Sequence, residues 1–166
     1  MKCWGVRLLA GIFLMLMVLP GSGFLHAEAE PVFDKPPIRA SLYERLGGEA
    51  GIRPVVDDFV MRGAADPKVN FTRQGMPRTW NASPENVTQL KEHLVQFIAS
   101  VSGGPQIYEG KDMVTAHAGF KISHEEFDTL VLDLEASLEA YEVSEAEREE
   151  LLALVESTRL AVVEEV

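Results

Sequence analysis

The chain has 166 residues, with 26 acidic against 15 basic side chains and a formal net charge of −11. That balance argues against nucleic acid, whose phosphates are held by clusters of Lys and Arg, and it disfavours anionic membrane surfaces. The one cysteine, Cys3, lies at the very start, which removes thiolate nucleophiles, disulfide frameworks and Cys-built zinc or iron–sulfur centres from the rest of the chain.

Residues 1–7 carry Lys2 and Arg7 and no acid, residues 8–19 are unbroken apolar, and Pro20-Gly21-Ser22-Gly23 and Ala27-Glu28-Ala29 follow. A basic start, an apolar middle, a helix breaker and a small-x-small site predict a secretory signal over residues 1–29, cleaved after Ala29 or Ala27. The apolar run is shorter than the ~20 residues that span a bilayer; an uncleaved anchor, lengthened by Phe24 and Leu25, is the alternative. With Cys3 in the leader, the mature chain has no thiol, in keeping with an oxidising compartment. Residues 30–40, with Pro31, Pro36 and Pro37, read as a flexible lead-in. Residues 41–163, roughly 125 in number, form one domain, long enough to bury a core.

Within that domain, Ser41 and Glu44 frame a short helix as a capping box, and Gly47-Gly48 ends it. A second helix is predicted over 49–62, with Ile52, Val55, Val56, Phe59 and Val60 on one stripe and Pro54 in its first turns. Residues 63–83 are irregular, and their apolar Phe71, Met76 and Trp80 are expected to fold back onto the domain. Asn70, Asn81 and Asn86 head weak glycosylation sequons. Ser83-Pro84-Glu85 opens a third helix running to about Ser100, with Val87, Leu90, Leu94, Phe97, Ile98 and Val101 on one face. At about 100° per residue His93 falls on the edge of that face. Gly103-Gly104-Pro105 stops it. A short helical segment is predicted over 111–117. Ser123-His124-Glu125-Glu126 opens a long helix to about Tyr141, with Phe127, Leu130, Val131, Leu134, Leu138 and Tyr141 as its stripe. Ser144 and Glu147 form a second box at the last helix, where Leu151, Leu154, Val155, Thr158 and Val162 point inward. The predicted class is all-α, five or six helices.

Four histidines are candidates for chemistry. His26 leaves with the leader, and His124, inside a capping box, reads as an exposed residue. His93 and His117 remain. A lone histidine is more often a core or surface residue than a ligand, but two features shift that balance for His117. It ends a short segment flanked by Gly110, where a ring can point inward without belonging to a packed stripe. The apolar helices on either side in sequence could wall a flat apolar ligand, and Met113, four residues earlier, shares its face. No G-x-S-x-G, HExxH, P-loop or GxGxxG is present, and two histidines are too few for a zinc site.

The order Leu42-Tyr43-Glu44-Arg45-Leu46-Gly47-Gly48, Phe59, Phe97 before Gly103-Gly104, Tyr108-Glu109-Gly110, Met113-x-x-Ala116-His117 and His124-x-x-Phe127 resembles the group I truncated haemoglobins. The resemblance covers most of the mature chain and implies a truncated globin fold, a two-over-two helical sandwich. It further implies haem b, with His117 as proximal iron ligand between the helices of Leu90 and Phe127. His93 becomes a distal candidate, either ligating the iron or meeting a propionate or solvent. Val60, Phe71, Leu90, Leu94, Phe97, Tyr108, Lys111, Met113, Phe127 and Leu130 become haem contacts.

The chain also departs from the family pattern. Many relatives place tyrosine where this chain has Val60, and glutamine at one or both of Leu90 and Leu94. Losing such a donor removes a bond of roughly 1.5–3 kcal/mol, which puts tight O₂ storage and NO dioxygenation in doubt. The expected function is an exported haem globin that binds diatomic gases, transfers electrons, or both, with binding favoured over enzymatic turnover. A redox partner or a membrane protein is the expected macromolecular contact. The alternatives are a haem-based sensor without turnover and a helical interaction domain that has lost the cofactor.

Overall fold

The structure is a computed structural model and describes residues 39–164. The predicted leader, with His26, lies outside the described residues. Among those residues there are seven helices and no strand: α1 (Leu42–Arg45), α2 (Gly48–Ala65), α3 (Pro84–Val101), α4 (Met113–His117), α5 (His124–Ala140), α6 (Glu145–Glu156) and α7 (Arg159–Val162). None is long and apolar enough to cross a membrane.

Local chemistry explains most of the boundaries. The Ser41 hydroxyl accepts from the Glu44 amide at 3.2 Å, and the Glu44 carboxylate accepts from the Ser41 amide at 2.9 Å. The same reciprocal box opens α5 through Ser123 and Glu126. Ser83 caps α3 with Pro84 at its first position. Helix α2 is longer than expected at both ends, so Pro54 falls beyond the first turn and cannot donate to the Ala50 carbonyl. Ala50 is an exposed residue.

Three expectations are corrected. The second capping box does not form: the Ser144 side chain makes no cap bond, and the Glu147 carboxylate pairs with Arg45 at 2.8 Å. The last helix is divided into α6 and α7. The Ser157 and Thr158 hydroxyls bond back to the Leu154 and Val155 carbonyls at 2.6 and 2.7 Å, competing with the helix ladder as such side chains do. Tyr141 ends α5 as its C-cap and is exposed rather than inward.

Helix α2 carries the core. Its predicted stripe is buried throughout, Val56 completely, and it packs against both α3 and α5. Helix α5 packs in turn on α6, α1 bridges α2 and α6, and α4 lies against α7. The α2–α3 pair and the α5–α6 pair are the two layers of a helical sandwich. The expected apolar face of α3 forms and is widened by Val95 and Ala99. Val95, Ile98 and Ala99 are its buried residues, whereas Leu90, Leu94 and Phe97 are only partly buried and border the open space described next.

Gly51 sets how closely the end of α1 approaches α2, since a Cβ there would stand 2.0 Å from the Leu46 carbonyl oxygen. Gly51→Ala is expected to lower stability by roughly 1–3 kcal/mol, as for other forced overpacking. An unchanged urea midpoint would show that the α1–α2 contact yields freely.

Candidate cofactor cavity

The sandwich does not close. Between α3, α4 and α5 it leaves a cavity of about 500 Å³, in the size range of small-molecule and cofactor sites, with Phe59 and Val60 of α2 and Val155 and Val162 of the C-terminal helices completing its walls. All twelve residues singled out from the sequence line this one cavity: His93, His117, Val60, Phe71, Leu90, Leu94, Phe97, Tyr108, Lys111, Met113, Phe127 and Leu130. His124 is exposed, as expected.

Helix α4 positions His117. It starts two residues later than predicted, because Asp112 caps it by accepting from the Thr115 amide at 2.9 Å. His117 Nδ1 lies 2.8 Å from the Met113 carbonyl oxygen. A carbonyl only accepts, so Nδ1 carries the proton and Nε2 keeps its lone pair. Burial pushes the imidazole below its ordinary pKa and the Arg78 charge lowers it further, against the opposing effect of the Met113 bond. The ring is neutral at neutral pH, the form that ligates metals.

On α3, His93 stacks edge-on against Tyr108 with centroids 6.1 Å apart, and Tyr108 against Phe97 at 5.8 Å. The Tyr108 hydroxyl donates to the Lys111 carbonyl at 2.9 Å, and burial, then the nearby Asp112, raise its pKa. The ring folds over Gly110, where a Cβ would meet the hydroxyl oxygen at 2.3 Å. Among the described residues no hydrogen bond holds the His93 ring.

The irregular 66–83 segment forms another wall. Phe71 and Trp80 pack edge to face at 5.2 Å and both line the cavity, so they fold back as expected. Met76 does not join them; it borders a separate surface groove with Lys68 and Lys121. Two of the three sequon asparagines use their side-chain amides internally, Asn70 toward the Gln74 carbonyl and Asn86 toward that of Asn81.

Several lining residues were not found from the sequence. Gln89 adds a second polar side chain on α3, and Phe120 and Ile122 extend the wall that follows His117 in sequence. Val155, Thr158 and Val162 were placed inward but not at a site. Arg73 and Arg78 also line the cavity. Their one sequence signal is that they flank apolar residues in a loop of an acidic chain.

The residues present fit a haem: apolar walls, a neutral imidazole with a free Nε2, and the cations Arg78 and Lys111 at the lining to meet carboxylates. A two-layer helical fold around such a cavity is that of a globin. Residues 41–164 match the family model of bacterial-like globins, and the chain belongs to that family. It is 29% identical over 119 residues to a group 1 truncated hemoglobin of Tetrahymena pyriformis, covering 72% of this chain and 91% of that one. It is 30% identical over 116 residues to a group 1 truncated hemoglobin of Mycolicibacterium paratuberculosis, covering 70% and 79%. The crystal structure of the Tetrahymena pyriformis truncated hemoglobin in its Fe(III) form superposes with TM-score 0.65 at 27% identity, over 76% of this chain and all of that one. Hemoglobin from Chloroflexus aurantiacus gives 0.60 at 30% identity, over 76% and 99%. These relatives place the chain among group I truncated globins, with haem iron as cofactor and diatomic gases as ligands.

Asp112 offers a pH test of how α4 is held. Its folded pKa lies below the ordinary 3.8, chiefly through hydrogen bonds from Thr115. Its contribution is therefore present above that ordinary value and lost as pH falls through the folded one. Asp112→Ala is expected to unfold at lower temperature than the parent at pH 7, with the gap narrowing below about pH 3.8. A gap that stays constant down to pH 3 would show that the carboxylate does not cap α4 in solution.

Proposed function

We propose that His117 is the proximal axial ligand of haem b, and that the protein is an exported globin that binds diatomic gases or carries electrons. The observation that supports this most is the Nδ1–Met113 bond of His117, which leaves a neutral imidazole with one available lone pair in an apolar cavity. When bound, haem supplies an iron centre able to take a gas ligand or exchange an electron. Leu90, Leu94, Phe97, Phe127 and Leu130 would hold the ring system and exclude water, and Phe71 with Trp80 would pack its edge. Arg78 and Lys111 would meet its carboxylates.

The distal side is poor in donors. Val60, Leu90 and Leu94 offer none, so a hydrogen bond to a gas would have to come from another lining residue such as His93, Gln89 or Trp80. His93, the second imidazole in the cavity and free of hydrogen bonds among the described residues, would be the side chain available to the iron opposite His117. With His93 in that role the haem would supply electron-transfer chemistry, or a response to gas binding. Export is supported by the leader composition of residues 1–29, and a redox or membrane partner follows as the recipient of the electron or signal.

The visible spectrum of the mature protein, from Glu30 onward, is the direct test. Low-spin bands without added ligand are expected in both oxidation states, converting to high-spin in His93→Leu. High-spin bands in the parent would overturn the role of His93. His117→Gly is expected to lose haem and to regain it with added imidazole; stoichiometric haem without imidazole would overturn the proximal assignment. Placing a donor by Leu94→Gln is expected to slow O₂ release about tenfold to a hundredfold, equivalent to roughly 1.5–3 kcal/mol, in stopped-flow measurements. An unchanged rate would mean that the Leu94 position does not face the gas.

A further inference from the structure

We propose that Arg73 and Arg78 are positioning residues for His117: from the segment between α2 and α3 they hold the backbone that follows α4 and thereby set where the imidazole stands. The inference rests on His117 being the axial ligand.

Helix α4 has five residues and none of them is buried. A helix that short does not sustain itself, and its contact with α7 leaves Met113, Ala116 and His117 only half-buried. Its C-terminal end is instead held by side chains from distant segments. Arg73 donates through Nε to the Phe120 carbonyl at 2.9 Å and through Nη2 to the Lys121 carbonyl at 2.7 Å. Arg78 donates to the Ala118 carbonyl and stacks its guanidinium 3.9 Å above the Phe120 ring. From the opposite end of the chain, the Glu164 carboxylate accepts from the Gly119 and Lys121 amides. The residues just after His117 thus have their backbone polar groups tied on two sides.

Arg73 is the centre of this clamp. It is 5% exposed, and a buried guanidinium is costly unless its donors are met. The third partner is Glu126, at 2.7 Å, whose other oxygen accepts from the Ser123 amide at 2.8 Å to cap α5. One carboxylate therefore links Arg73 to the start of the helix that brings Phe127 and Leu130 to the cavity. Arg73 also stands two residues from Phe71. The loop wall, the end of α4 and the start of α5 are joined as one unit around the imidazole. Lysine cannot replace this function, because a point charge lacks the planar fork that serves three acceptors in fixed directions.

The test uses the haem-loaded protein in a His93→Leu background, where the ferrous iron–imidazole stretching band is visible by resonance Raman. Arg73→Met is expected to shift or broaden that band and to speed haem transfer to an apo-globin acceptor by about tenfold to a hundredfold, the range for partners that orient a metal-ligating histidine. Arg78→Gln is expected to act in the same direction with a smaller effect, and it carries the test if Arg73→Met fails to fold. Arg45→Gln, which breaks an ion-pair cluster with Glu147 and Glu150 joining α1 to α6, is the control. It is expected to lower the unfolding temperature without moving the band or the transfer rate. A parent band and parent haem-loss rate in folded Arg73→Met and Arg78→Gln, or an equal change in Arg45→Gln, would overturn the inference. His117→Gly separates the two claims: if it keeps the band, the assignment of the axial ligand fails, and if it loses the band while the arginine variants keep it, only the clamp fails.

Discussion

A metal ligand must be held still, and a five-residue helix has little means of holding anything. With His117 in its proposed role the constraint falls on α4, and much of the surrounding architecture answers it. The backbone carbonyl of Met113 fixes the orientation of the His117 ring. Asp112 closes the start of the helix, and the turn after it is tied to Arg73, Arg78 and Glu164. Rigidity at the imidazole is supplemented from the loop before α3 and from residue Glu164, because α4 is short and none of its side chains is fully buried.

The remaining helices solve a different problem, which is to make a core while leaving it incomplete. Helix α2 is buried along its full stripe and anchors both layers. Helix α3 presents one broad apolar face, with Val95 and Ala99 packed inside and Leu90, Leu94, Phe97 and Ile98 lining the cavity. Apolar side chains that border open space are unfavourable in an isolated domain. A flat apolar cofactor supplies the missing contacts, so cavity and cofactor are complementary in energy as well as in shape.

Charge is arranged to match. The chain carries a net −11, yet Arg73, Arg78 and Lys111 all line the cavity. Arg73 is consumed by internal partners, whereas Arg78 also lowers the basicity of His117 and so favours the neutral ring.

Much of this was legible in the residues themselves, and the division has a physical cause. Capping boxes at Ser41 and Ser123, the Ser83-Pro84 start and the α2 stripe are local devices, set by side chains within four residues of each other. The sequence by itself determined these, the all-α class and the two histidines worth following. It misjudged the Ser144 box, where the acid at Glu147 pairs with the distant Arg45 and the serine makes no cap bond, and it left open what α3 packs on, because periodicity reports that a face is apolar without saying what will cover it. Only the tertiary structure decided that Arg73 and Arg78 meet the turn after His117 some 40 or more residues away. Such bonds depend on where α2, α3 and α5 place the intervening chain, and no local spacing encodes them.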